Sequence, residues 1–297
     1  MRTRILSTLL LCCACGSTAS TTGSDDVRKV PTPVDATEKP RIVQGNYTIT
    51  NTADLDQLSA YVEVTGTLLI DAPGVTSLHG LEGLARVGEL LVEHNDMLQD
   101  LTGLGGLTEV QSVRVANNPG LRSLWGLHNV ATVTGSIQIE DNPQLARLDA
   151  FHEVQRVGGY ISVHHNPVLE ELRAFTRLTE VHGLLALERN ELLHDLSSLG
   201  ALQAVGDALI ITRNPVLLTL AGLGKVQTVR ALQIEGNSRL MRLADLVELH
   251  GIWTDLRVRS NPVLPACEVL ALRDRVLANG VIGGEVVLED NEGTGCQ

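Results

Sequence analysis

An asparagine returns along this chain every 23 or 24 residues, at Asn95, Asn118, Asn142, Asn166, Asn190, Asn214, Asn237 and Asn261. A unit of that length cannot bury an apolar face alone, but stacked units share one continuous core, so the period predicts a solenoid. The apolar positions keep phase with the asparagine. Five and three residues before it stand Leu90 and Val92, Val113 and Val115, Ile137 and Ile139, Ile161 and Val163, and so on to Leu256 and Val258. Alternation with β-branched enrichment predicts a short strand with one buried face in each coil.

After the asparagine the period changes to three, as in Leu121, Leu124, Leu127, Val130 and Val133. A helix needs 3.6 and a strand needs 2. A sustained three describes a chain winding round a narrow core and dropping one side chain inward at each step. The asparagine amide both donates and accepts, so side chains stacked at one corner can satisfy the turn's backbone groups and bond to one another. Pro119, Pro143, Pro167, Pro215 and Pro262 follow five of them, fixing φ and stopping the strand. Eight residues on, the side chain is small (Gly103, Gly126, Ala150, Ala174, Ser198, Gly222), which predicts a second crowded corner. Aromatic residues are only 2% of the chain against 43% hydrophobic overall, so Leu, Val and Ile must fill the core.

Both ends break the pattern, as capping coils do. In front, Gly66 to Ile70 reads as a strand, but Ala72-Pro73 stands where the asparagine should be, and Asn51 suggests a still earlier coil. Behind Asn261, Pro265 to Asn279 reads as a helix with Val269, Leu272 and Val276 on one face, covering the open end of the core. A last strand, Glu285 to Leu288, follows. The segment 262–297 is thus a C-terminal cap.

The run Ile137-Gln138-Ile139-Glu140-Asp141-Asn142-Pro143-Gln144-Leu145 resembles the receptor L-domain, a family of ligand-binding lobes, over residues 46–297. It is also similar to leucine-rich repeats, although there the next leucine falls two residues after the asparagine rather than three. The resemblance implies a right-handed, mainly β, parallel β-solenoid of about nine to ten coils and a binding role, with no particular ligand.

The N-terminus reads as a targeting segment, 1–15. Arg2 and Arg4 precede the apolar run Ile5 to Leu11, far short of the roughly 20 residues that span a bilayer. The patch Leu11-Cys12-Cys13-Ala14-Cys15-Gly16 resembles the lipobox of bacterial lipoproteins. Ala14 favours Cys15 as the lipidated residue, with Cys12 and Cys13 as alternatives. The resemblance implies an exported protein held at the outer membrane or cell surface; the other reading is a secreted, soluble protein. Residues 16–45 are polar and lack an apolar period, which predicts a disordered tether. Of the cysteines beyond the signal, Cys267 and Cys296 form an even pair in an exported chain. They are most simply a disulfide closing a 30-residue loop.

The net charge of −12 argues against a nucleic-acid partner and an anionic membrane surface, both of which need clustered positive charge. No nucleophile arrangement or phosphate loop is present, and the expectation is a non-enzymatic protein with no cofactor and no metal. One polar constellation stands out. The residues two before each asparagine (Glu93, Ala116, Glu140, His164, Glu188, Thr212, Glu235, Arg259) face outward in a row, with neighbouring coils about 4.8 Å apart. Glu140, His164 and Glu188, with His165 nearby, are a conceivable metal-holding line, but an ion-paired solvated face is the simpler reading. Glu93, Glu140, His164, His165, Glu188, Arg189, Arg213 and Arg259 therefore form a candidate binding face. Its charge runs from acidic and His-rich to Arg-bearing, which suits another protein at the cell surface. Sugar binding is not supported, since the strand rows carry no aromatic platform apart from Tyr160 at an edge. The alternatives are a passive structural role in the envelope and a metal-dependent surface enzyme.

Overall fold

The computed structural model describes residues 40–292. The signal segment with Cys12, Cys13 and Cys15, most of the tether, and Cys296 lie outside the described residues. The described chain is mainly β, a parallel β-solenoid of about nine turns closed by a C-terminal helix and strands. The principal ladder holds the strands before each asparagine, pairing Leu90 with Val113, Val113 with Ile137, Ile137 with Ile161 and onward, coil on coil. A second parallel ladder lies a few residues upstream, where Val87 pairs with Val110 and Val157 with Val181. A third, of single bridges, links Ser123, Arg147, Glu171 and Asp195. Two of the pairings in which the first two ladders join in one strand carry a register shift, between Val64 and Thr67 and between Val205 and Ala208.

The period of three has a hydrogen-bond cause. The amide of Leu121 donates to the carbonyl of Asn118 (3.2 Å), that of Leu127 to Leu124 (3.0 Å) and that of Val130 to Leu127 (3.3 Å). These steps are turns closed three residues on, so the side chains they relate point the same way; the step from Leu121 to Leu124 carries the single-bridge ladder at Ser123 instead. Leu121, Leu124, Leu127 and Val130 are fully buried, as are their counterparts in the other coils. Proline after the asparagine occupies the second position of such a turn, where its fixed φ is already correct.

The small residue eight after the asparagine does mark a crowded corner, which the chain turns in three ways. Gly80, Gly126 and Gly222 adopt φ of 107°, 129° and 107°. Gly103 and Ser198 sit inside short 3₁₀ turns, Thr102–Leu104 and Ser197–Leu199. In the two coils with alanine, the left-handed residue is the next one, Phe151 (55°) or Phe175 (62°). A Cβ at Gly126 would lie 1.8 Å from the Leu101 carbonyl oxygen, so Gly126→Ala must move backbone and is expected to cost about 2–3 kcal/mol. Gly74→Ala, where nothing lies within 4 Å, should be neutral. Equal urea midpoints for the two variants would overturn this account of the corner.

The ends differ from the expectation in two places. The folded part starts before residue 46, because Ile42–Val43 pairs in parallel with Glu63 and Val64; the last residues assigned to the tether belong to the first coil. Asn51 does not begin a coil. It caps helix α1, Thr52–Leu58, its side chain accepting from the amides of Ala53 and Asp54, while the Asp54 carboxylate accepts from Thr50. The arrangement resembles a capping box with Thr50, one residue before the cap, as the donor to Asp54, and the helix it starts buries Leu55 and Leu58 in the front of the core. At the back, helix α2, Ala266–Asn279, buries Val269, Leu272 and Val276. Glu268 of this helix accepts from the Leu243 amide at 3.0 Å, satisfying a group that another coil would otherwise pair. The strand Val286–Glu289 then closes the principal ladder against Leu256–Arg259.

Candidate functional site

The asparagines form a buried ladder. Asn166 donates through Nδ2 to the carbonyls of Ile139 (3.1 Å), in the preceding coil, and His164 (3.0 Å), in its own. Its Oδ1 accepts the Asn142 amide at 3.2 Å, and its own amide donates to Asn190 Oδ1 at 3.2 Å. The bond to the preceding coil's carbonyl recurs at every rung from Asn95 to Asn261, and all eight side chains are fully buried. A ninth rung was missed: Asn291 accepts from Asn261 Nδ2 at 3.1 Å and donates to the Val258 carbonyl at 2.7 Å. Its signal was present, since Val286 and Leu288 stand five and three residues before it; the inserted helix hid the phase.

The residue just before each rung is left-handed in every coil: His94, Asn117, Asp141, His165, Arg189, Arg213, Gly236, Ser260 and Asp290, with φ between 51° and 69°. This conformation costs an L-residue about 1–2 kcal/mol. Because it recurs in every coil, it belongs to the turn, and individuality lies only in which side chain the turn throws outward.

The outward row two before the asparagine is in register. Glu140 pairs with His164, His164 with Glu188, Glu188 with Thr212, and Glu235 with Arg259. It is less open than a solvated face. Ala116, Glu140 and Thr212 are buried, and the Glu140 carboxylate is clamped by Arg114 on one side and His164 Nε2 (2.7 Å) on the other. Arg114 also reaches Glu93. Burial pushes Glu140 upward, but the Gln138 hydrogen bond and the Arg114 guanidinium outweigh it and hold the carboxyl below its ordinary range. Arg114 was absent from the expected face because it sits four residues before its asparagine, in the neighbouring row; its diagonal position between two glutamates was the available sign.

Glu188 does not complete a line with Glu140 and His164. It accepts from the Thr212 hydroxyl at 2.9 Å. His165 instead joins His164 through facing Nδ1 atoms, 2.9 Å apart, and Arg189 Nη1 lies 3.0 Å from His165 Nε2. A guanidinium only donates, so His165 Nε2 accepts and its proton sits on Nδ1. That proton is given to His164 Nδ1, and the His164 Nε2 proton goes to Glu140. Six side chains from Glu93 to Arg189 thus form one chain in which each link joins a donor to an acceptor. Beyond it, Arg213 is exposed and Arg259 pairs with Glu235 at 3.0 Å. Tyr160 bonds to Gln138 through its hydroxyl, at 3.1 Å.

Among the described residues, no helix is long and apolar enough to cross a membrane. No protein-family model and no curated protein matches this chain.

Proposed function

We propose that this protein is a non-enzymatic recognition module of the cell envelope, a receptor L-domain-like solenoid whose turn edge beside the asparagine ladder meets a partner protein. The observation that carries this reading is the left-handed column. It projects His165, Arg189 and Arg213 from a rigid, fully hydrogen-bonded corner at a fixed spacing of one coil, and such pre-organisation reduces the entropy lost on binding. Arginine is also the cation most suited to interfaces. Glu140 orders this edge from behind and is too enclosed to meet a partner. The contacts belong to the exposed Arg189 and Arg213.

The double variant Arg189→Glu/Arg213→Glu should therefore lose a partner that the wild-type chain retains from envelope extracts, with an unchanged thermal midpoint. An identical set of retained proteins, or none with either form, would favour a passive structural component instead.

The proposal includes export, lipidation at Cys15 and a Cys267–Cys296 disulfide anchoring the C-terminal cap. Cys267 stands in the first turn of α2, where a cross-link would tie the end-covering helix to the tail. In the chain-entropy description a 30-residue loop contributes roughly 3–4 kcal/mol. Peptide mapping by mass spectrometry of protein recovered from membranes reads both features. An unmodified Cys15, or Cys267 and Cys296 alkylated without reductant, would refute the corresponding part.

A further inference from the structure

We infer that Asp141, His164 and His165 form a binding site for a divalent late transition-metal ion. Each offers one ligand atom, and the three atoms lie within 4.8 Å of one another. Among the described residues no other trio of His, Cys, Asp or Glu side chains comes together in this way. The site follows from the fold. The turn throws Asp141 and His165 outward from the same left-handed position in successive coils, and His164 stands beside them at the strand end. All three are at least partly open to solvent, so an ion has a path in.

The geometry selects the ligand atoms. His164 Nε2 is committed to Glu140 and His165 Nε2 faces Arg189, which leaves both Nδ1 atoms turned toward the shared space. Glu140 on His164 is the carboxylate–histidine arrangement that fixes ring orientation and raises ligand basicity in metal sites, and Arg114 in turn holds Glu140. The donor set selects the metal class. Two imidazoles with one carboxylate suit late transition-metal ions such as Ni(II), Cu(II) or Zn(II) rather than Mg(II) or Ca(II), and the 2.9 Å hydrogen bond between the Nδ1 atoms is what an ion would replace. The remaining positions are open to water or to a group on a partner.

Binding requires the proton between the two Nδ1 atoms to leave. It reappears on His165 Nε2, with no net proton released, and there it would face an Arg189 N–H. Arg189 must therefore swing into solvent, so it opposes binding, whereas Glu140 supports it.

The test is a Ni(II) calorimetric titration of the full chain and of variants borrowed from its own coils. His165→Asn places there the residue found at Asn117, and His164→Thr the residue found at Thr212, so both sites tolerate the change. Each should weaken Ni(II) binding about tenfold or more, with an unchanged thermal midpoint, and Glu140→Gln should weaken it about 10–100-fold. Arg189→Asn should tighten it, a response that an ion held elsewhere would not give. His94→Asn, at the same turn position in another coil, should have no effect. No Ni(II) binding by wild type, or equal affinity in the His164 and His165 variants, would overturn the site.

Discussion

Asn166→Ala is expected to lower the free energy of unfolding by about 3–6 kcal/mol, more than any other single change considered. The substitution removes few apolar contacts. It leaves the buried Asn142 amide without its acceptor and takes a donor from the carbonyls of Ile139 and His164. Each buried group deprived of a partner costs about 1–3 kcal/mol, and the corner is fully buried. The ladder also couples coils, so the lesion falls on an interface between neighbours, where solenoid cooperativity resides. The internal control is one residue before the rung at Asn118, two coils upstream. Asn117 is exposed and left-handed, and Asn117→Gly, which puts there the residue found at Gly236, should change stability by no more than about 0.5 kcal/mol. Urea denaturation followed by circular dichroism measures both. A loss below about 1 kcal/mol for Asn166→Ala would reduce the ladder to a by-product of the turn.

How far this could be read from sequence depends on periodicity. A residue that recurs every coil has one environment eight times over, so Asn, the strand pair and the every-third Leu announced the solenoid, its buried rows and the asparagine corner. The helix Ala266–Asn279 was legible for the ordinary reason that its apolar spacing and Asn279-Gly280 stop are local. What was hidden is what varies between coils. The left-handed position is occupied by His, Asn, Asp, Arg, Gly and Ser, so composition does not disclose it. Asn51 carried the right residue type for a rung but the wrong context, since Asp54 three residues on makes it a helix cap. The register of the outward row follows from the repeat, but the pairing within it does not: Glu188 turns to Thr212, and Arg114 comes from an adjacent row. Side-chain choice among several neighbours at similar distance is decided by rotamer and burial, which the register alone leaves open.

Phe151 and Phe175 test whether the core is as uniform as its leucines suggest. They are the chain's two phenylalanines, both fully buried, in adjacent coils. Their rings are parallel within 3°, with centroids 5.7 Å apart, an offset stack of the kind that adds about 0.5–1.5 kcal/mol beyond area burial. Leucine holds the same place in the coils on either side, at Leu127 and Leu199, where the corner turns through glycine or a 3₁₀ turn instead. Phe175→Ala leaves a cavity that the rigid stacked coils cannot close, and is expected to cost about 3–5 kcal/mol. Lying near the middle of the solenoid, it should also uncouple the two halves, so that the urea transition broadens and its slope falls; a comparable cavity at Leu55, in the front cap, should only fray one end. Phe175→Leu separates volume from stacking. Most of the stability should return, while the double variant Phe151→Leu/Phe175→Leu should cost less than the sum of the two single changes, because the stack is lost only once. Strict additivity would mean that the rings serve only as volume, and an unchanged transition slope in Phe175→Ala would mean that the coils on either side do not depend on this layer to fold together.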